Sequence, residues 1–420
     1  MRITIINQFY VPDVAPTGQL CGMLAENWAD PAGHDHDVTV VASRGGYSED
    51  ARKATDRDST KSTVRVHRVW TPRLGKANLI KRLTDYAFFY LGTFLKLLFM
   101  PRQDVIISLT TPPLIAWAGV LHKLIHRRTK LILWNMDCYP EAPERIGMIK
   151  TDGGMSRLVQ LFNGGLFKRL DHLISLDQAM QDLLMDRYKP SNRELPATVI
   201  PNFEAADFYP LEAEHGEWEG VDRLGLAGKF VVLYMGNMGV GHDFDTALDA
   251  AELLLDDEQI HFIFNGGGGR KEEVAKEALR RNLRNVTVQS YIPKAELPSL
   301  MAAGSAALIT LRDTMLGVMS PSKLHGNLAM RLPVLYVGPA GSNVDFAVQQ
   351  HSCGRTIPVG DAKALASTIR ELAGDPAQHE QMRIAARRAF DEAYNDRAVM
   401  PQFDRVIEQV TATLTTGAAS

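Results

Sequence analysis

Short apolar runs, each closed by a turn residue and separated by helix-length stretches, recur along this chain and limit it to parallel strands joined by helical crossovers. Such runs stand at 3–7, 38–43, 64–69, 105–109, 131–134 and 173–176. After Val199-Ile200-Pro201-Asn202 the pattern stops in a polar, acidic stretch that reaches about residue 228. It restarts at 230–235 and continues at 261–265, 286–290, 306–311, 334–337 and around 356–358, with helices expected over 245–255 and 271–282. A chain of 420 residues is too long for one ordinary core. The reading is therefore α/β with two domains, residues 1–203 and 204–394. A last helical segment, 395–420, is expected to return to the first domain.

The 46 basic and 49 acidic residues leave a formal charge of −3, so no global field selects nucleic acid. Any anion site must be local. The three cysteines lie far apart without CxxC spacing, which argues against a disulfide framework and a structural zinc site. The N-terminal run Ile3, Ile5, Ile6 meets Gln8 at once and is too short for a signal-peptide core, so a cytoplasmic location is expected.

One segment breaks the α/β pattern. Residues 76–100 set Leu79, Leu83, Tyr86, Tyr90, Phe94 and Leu98 on one helical stripe, widened by Phe88, Phe89 and Phe99. Lys76, Lys81, Arg82 and Lys96 supply cations. The uncharged part is too short to cross a bilayer. Two readings stand: a domain-core helix with solvated lysines, or a basic, aromatic-rich helix lying in a membrane interface. Arg102, His126, Arg127, Arg128 and Lys130 nearby favour the membrane surface.

Glycine-rich loops follow strands in both halves. Gly236-Asn237-Met238-Gly239-Val240-Gly241-His242 follows the run at 230–235 and offers close backbone approach with Asn237 and His242 as donors. Gly266 to Gly269 follow 261–265 and open a helix beside Arg270 and Lys271, where backbone amides favour an anion. The same run also reads as a plain strand-capping turn. Pro16-Thr17-Gly18-Gln19 opens a helix after the first strand. Asp137, before Tyr139-Pro140-Glu141, reads either as a strand-end cap or as an acceptor-side carboxylate. His172, at the start of a strand, reads as a satisfied structural histidine.

The stretch Ser320-Pro321-Ser322-Lys323-Leu324-His325-Gly326-Asn327-Leu328-Ala329-Met330-Arg331-Leu332-Pro333-Val334 resembles the glycosyltransferase family 4 enzymes, in particular the branch that builds bacterial exopolysaccharide, capsule and lipopolysaccharide, including colanic acid. The resemblance covers essentially the whole chain. It takes in residues 3–12 with Thr17-Gly18, the Gly33-His34 turn, Asp137 with Pro140-Glu141, Val199 to Asn202, Gly236-Asn237 and the Gly266 to Gly269 turn. It implies the GT-B architecture, two Rossmann-like domains facing across a cleft, and a donor that is a nucleotide-diphosphate sugar.

On this resemblance the donor side comprises Gly18, Gly236, Asn237, Gly239, His242, Gly268, Arg270, Tyr291, Ile292, Ser322, Lys323 and Leu324. The region Ser290 to Ile292, ahead of Pro293-Lys294, holds the nucleobase, and residues 313–320 the donor sugar. Lys323 and Arg270 neutralise the leaving diphosphate, so neither a metal nor any other cofactor is expected. Thr17, Gly18, Asp137 and Glu141 form the acceptor side, with Asp137 and Lys323 as catalytic candidates. The acceptor implied is a polyprenyl-linked saccharide at the inner membrane face, and the implied stereochemistry is retention.

The departures are as informative. Two glutamates usual in the family are replaced by Val318 and Gly326, and Arg331 stands where the family has glycine. Two alternatives remain: a sugar-nucleotide epimerase on the same architecture, and a scaffold that has lost catalysis with those glutamates.

Overall fold

A computed structural model describes residues 1–13, 15–44, 63–72, 79–207, 218–293 and 296–416. Lys76, Lys294 and much of the acidic stretch before residue 228 lie outside the described residues. The chain divides into two units. Unit 1 contains Met1–Leu176, Met180–Ile200 and Met400–Ser420, and unit 2 contains Asp177–Ala179 and Pro201–Val399. The first division falls a few residues ahead of 203, and the return falls at Met400 instead of 395. The cause is local: Glu204 donates its amide to Tyr394 O at 3.1 Å and accepts from the Asp396 amide at 3.0 Å, tying both linking segments together inside unit 2.

Unit 1 is built on a seven-stranded sheet, β1 (Arg2–Ile6), β2 (Asp37–Ser43), β3 (Arg65–Val69), β4 (Val105–Ser108), β5 (Lys130–Trp134), β6 (His172–Ser175) and β7 (Ala197–Val199), in the order β3-β2-β1-β4-β5-β6-β7. Every pairing is parallel, with Ile3 opposite Val38 on one side and Val105 on the other. Helices cover such a sheet on both faces, which is why Ile5, Val40, Ile106, Ile107, Leu131 and Ile132 are all fully buried instead of alternating. The three-residue β7, unread in the sequence, is too short and too near the Pro201 break to show a pattern.

Helix α1 (Pro16–Ala29) begins on a proline, whose missing amide costs nothing in a first turn. After β3 come α2 (Leu79–Leu98), α3 (Trp117–Ile125) and α4 (Gly154–Phe167). They are linked side by side: His122 Nδ1 on α3 meets Leu97 O on α2 at 2.8 Å, and Trp117 on α3 packs edge-on against Phe162 on α4.

Unit 2 is built on a six-stranded parallel sheet, β8 (Phe230–Asn237), β9 (Ile260–Gly267), β10 (Val286–Gln289), β11 (Ala306–Thr310), β12 (Val334–Val337) and β13 (Gly354–Ile357), in the order β10-β9-β8-β11-β12-β13. Its core centres on Tyr234, Phe244, Phe262 and Phe264. Helix α5 (Lys271–Arg280) follows β9 and α6 (Lys323–Ala329) precedes β12. Helix α7 (Pro376–Ala389) runs through a π-helical turn, Phe390–Tyr394, towards α8 (Asp396–Thr416). From Met400 onward α8 packs in unit 1, where Trp28 Nε1 donates to Asp404 at 2.7 Å and Phe403 lies edge-on to Trp134.

The structure redraws the apolar face of α2. Tyr86, Tyr90 and Phe94 are half-buried, and the Tyr90 hydroxyl donates to Pro113 O. The exposed strip is instead Phe88, Leu91, Leu95 and Leu98, continued by Phe99 and by Trp70, which packs edge-on to Phe88. Phe89, Thr93 and Leu97 are buried on the opposite side. The helix is apolar on two faces, so periodicity alone picks out one stripe without saying which face the protein covers. No described helix is long and apolar enough to cross a membrane.

Candidate functional site

In an open parallel sheet, ligands collect beyond the carboxyl ends of the strands at the point where strand order reverses. In unit 2 that point lies between β8 and β11. The loop after β8 delivers His242 there. Its Nδ1 is 2.6 Å from Thr310 O at the end of β11. A carbonyl only accepts, so Nδ1 carries the proton and Nε2 presents a lone pair. Lys323, the first residue of α6, brings Nζ to 3.1 Å from that Nε2 and 4.9 Å from the centre of the Tyr234 ring. Among the described residues no carboxylate pairs with Lys323. Burial lowers its pKa to about 7. Burial, with the Lys323 charge adding to it, pushes His242 down to about 3. The pair is therefore a neutral imidazole holding an ammonium that is easily discharged.

Two glycines explain how the loops fit. Gly236 has φ +118°, and a Cβ there would stand 2.8 Å from Lys323 Cε, so the lysine stem passes where a side chain would be. A Cβ on Gly266 would come within 1.9 Å of Gly236 O. The ends of β8 and β9 are pressed together, and the Arg270 amide donates back to Met238 O at 3.0 Å. Much of the glycine content read from sequence as ligand approach thus serves contact between the two loops. Gly239 crowds Asn237 in the same way, and Gly268 crowds both Asn237 and Met238.

Arg270 is not the free cation the sequence reading gave. It is buried, its guanidinium pairs with both oxygens of Glu273 at 3.0 and 2.6 Å, and Nη1 donates to His242 O at 3.0 Å. Its charge is already matched, and with Arg312 Nε, 3.2 Å from the same carbonyl, it fixes the His242 backbone. Leu324 is fully buried in the core, so its side chain meets no ligand. Tyr291 is exposed beside Gly267, Ile292 is half-buried and Ser322 is exposed. Val318, at one lost glutamate position, is buried. Arg331 has φ +59°, the left-handed region that explains a glycine at this turn in similar sequences.

In unit 1 the strand-end cluster centres on Asp137 after β5. Thr110 Oγ1 accepts from the amides of both Met136 and Asp137, at 3.1 and 3.0 Å, and so ties the β4 and β5 loops. Asp137 is open to water, yet it lies in the mouth of a small pocket lined also by Leu109, Pro113, Tyr139 and Phe167. The surrounding protein raises its pKa by excluding solvent.

Two acceptor-side readings are corrected. Glu141 is buried, its Oε1 accepting from the Tyr188 hydroxyl at 2.5 Å and pairing with Arg187 at 3.3 Å, so its carboxylate faces inward. Gly18 is buried with a hypothetical Cβ 3.2 Å from the Phe9 and Tyr10 backbone, so it seats α1 against its own loop. Thr17 beside it is half-buried. His172 donates to or accepts from Thr198 Oγ1 at 2.9 Å and is structural. Among the described residues no group of three or more His, Cys, Asp or Glu could hold a metal ion.

These features define a protein of two Rossmann-like α/β units, one of which gathers a lysine, a histidine and interlocked glycine turns at its strand-order reversal. Residues 18–202 match the family model described as a glycosyl transferase 4-like domain, and residues 229–375 match that of the glycosyl transferases group 1. The chain belongs to this glycosyltransferase family and is an enzyme of that class. It is 26% identical over 303 residues to the probable glycosyltransferase WbjE of Pseudomonas aeruginosa, covering 72% of this chain and 74% of that one. It is 25% identical over 345 residues to the putative colanic acid biosynthesis glycosyl transferase WcaI of Escherichia coli (strain K12), covering 79% and 81%. The crystal structure of Anabaena Alr3699/HepE in complex with UDP superposes with a TM-score of 0.70 at 16% identity, covering 97% of this chain and all of the other. That likeness is one of fold, to a glycosyltransferase-type architecture. The family assignment favours transfer over the epimerase alternative.

Proposed function

We propose that this glycosyltransferase moves a sugar from a nucleotide-diphosphate sugar to a polyprenyl-linked saccharide during cell-surface polysaccharide synthesis, working at the inner face of the cell membrane. The observation that carries this reading is Lys323: a cation without a carboxylate partner, held by His242 over Tyr234 at the strand-order reversal of unit 2. The name of the Escherichia coli relative supports a polysaccharide product, and the UDP in the Anabaena structure supports a nucleotide donor.

The chemistry follows from charge. As the bond from the anomeric carbon to the phosphate oxygen breaks, its electron pair leaves on the diphosphate. The Lys323 ammonium offsets that charge, doing work otherwise given to a metal. The acceptor hydroxyl attacks the face the diphosphate leaves, and the departing phosphate oxygen takes its proton. The product then retains the anomeric configuration, and no separate base and no metal are needed. Asp137, with its raised pKa, orients the acceptor hydroxyl from unit 1. Tyr291 and Ile292 contact the base, and Asn237, Gly236, Gly239 and Ser322 border the diphosphate. The exposed strip of α2, with Lys81 and Lys96 among its charges, lies against lipid.

A panel of nucleotide sugars tests the donor side. At 100-fold excess over its Kd the true donor stabilises the native state by about 2.7 kcal/mol, readable as a rise in Tm. Stabilisation by one nucleotide sugar, and not by its free sugar, is expected; no rise with any member of the panel would refute the reading.

A further inference from the structure

The exposed apolar surface of unit 1 does not end with α2. On α4, Leu158, Phe162 and Leu161 are exposed, Leu161 at 73%, and Met155 begins the same face. Leu124 and Ile125 are exposed at the end of α3, which lies beside both helices. A monomer in water rarely displays so much contiguous apolar area without a partner. Charge identifies the kind of partner. The segments 79–102, 117–130 and 148–169, which contain these three helices, hold 12 Lys and Arg against 2 Asp, in a chain whose total is −3.

The cations converge at one place. An open pocket of about 530 Å³ between the end of α3 and the turn after α4 is lined by Lys123, Leu124, Arg127, Lys168, Arg169 and Arg193, with Asp171 its one carboxylate. Lys123 is bound to Asp171, and Arg193 donates to the carbonyls of Phe167 and Leu170. These two offset the negative end of α4 and the carboxylate. Arg127 and Lys168 are exposed and form no ion pair among the described residues. Leu124, 63% exposed, belongs both to the pocket and to the apolar face. The pocket opens on the sheet edge where β5 and β6 begin, opposite the strand ends that carry Asp137.

We infer that α3 and α4 form a second bilayer contact, in which Leu124, Ile125, Leu158 and Leu161 enter the acyl boundary and the basic pocket takes the phosphate of an anionic lipid headgroup. This inference rests on the membrane reading of α2 and adds to it a headgroup site. Two contacts fix the orientation of unit 1 on the bilayer, which one helix, free to roll about its axis, does not.

Flotation with vesicles of phosphatidylglycerol mixed with phosphatidylcholine tests it. Each cation near an anionic surface is worth about fivefold in partitioning, so Arg127→Gln with Lys168→Gln is expected to weaken binding roughly 25-fold. Leu124→Ser with Leu161→Ser should weaken it on phosphatidylcholine vesicles as well, where the charge variant has little effect. Wild-type binding unchanged in both variants, but lost in Lys81→Glu with Arg82→Glu, would overturn the second contact and leave the α2 reading standing. Absence of wild-type binding would overturn both. Displacement from the vesicles by inorganic phosphate, at a concentration where chloride of equal ionic strength has no effect, would assign the pocket to a soluble phosphate compound and overturn the lipid assignment.

Discussion

Lys323→Ala is expected to lower turnover by roughly 100- to 1000-fold, the range found when one preorganised donor is taken from a developing negative charge. The loss should fall on kcat more than on KM, because charge on the leaving diphosphate grows as the anomeric bond breaks. Folding should survive. The lysine has no carboxylate to orphan, and burial already favours its uncharged form, as the fall of its pKa to about 7 records. His242 would keep its bond to Thr310 O and Arg270 its pair with Glu273. Single-turnover rates at saturating donor, with the melting curve as control, measure this; an unchanged rate would remove Lys323 from the reaction.

Nucleotide affinity should depend on pH in a direction this site dictates. With Lys323 near pKa 7 in the free enzyme, a bound diphosphate favours the charged form and raises that pKa. Below about 7 the ammonium is already present and affinity is flat. Above it, binding must take up a proton, and Kd should rise about tenfold per pH unit until the pKa of the complex is reached. His242, held down to about 3, stays neutral throughout this window and contributes no slope. The unliganded protein shows the same linkage in its stability. Its unfolded state holds the Lys323 proton up to the ordinary lysine range, so stability should rise with pH from about 7 upward. Calorimetric titration of the nucleoside diphosphate at several pH values reads the first effect, and the slope should vanish in Lys323→Ala. A wild-type Kd that does not change between pH 7 and 9 would contradict the assigned protonation.

The architecture was legible because parallel strands covered on both faces leave continuous apolar runs, such as Val334–Val337, that need no partner to be recognised. The residues at the strand ends were legible by type and place, and less so by role. Arg270 and Glu273 are three apart on one helical turn, a spacing that foretells an ion pair and could have shown the cation to be occupied. Nothing local links His242 to Lys323, 81 residues apart, since the contact exists only through the pairing of β8 with β11. Glu141 likewise turns inward only because Tyr188 and Arg187 close over it from a distant helix. Of α2, the composition was plain and the exposed face was not, because Gly92 against Val69 and Leu97 against His122 set its rotation. The second apolar helix, α4, carried its own signal in Leu158, Leu161 and Phe162, diluted by the glycines around it.

The central claim, catalysed transfer from a nucleotide sugar, is tested most directly by supplying the stabilising nucleotide sugar, labelled in its sugar, with a bacterial lipid extract as acceptor. The account predicts that label enters the organic phase in step with released nucleoside diphosphate, that both stop in Lys323→Ala, and that the new linkage keeps the donor's anomeric configuration by NMR. A protein that binds the nucleotide sugar but releases no nucleoside diphosphate would contradict it.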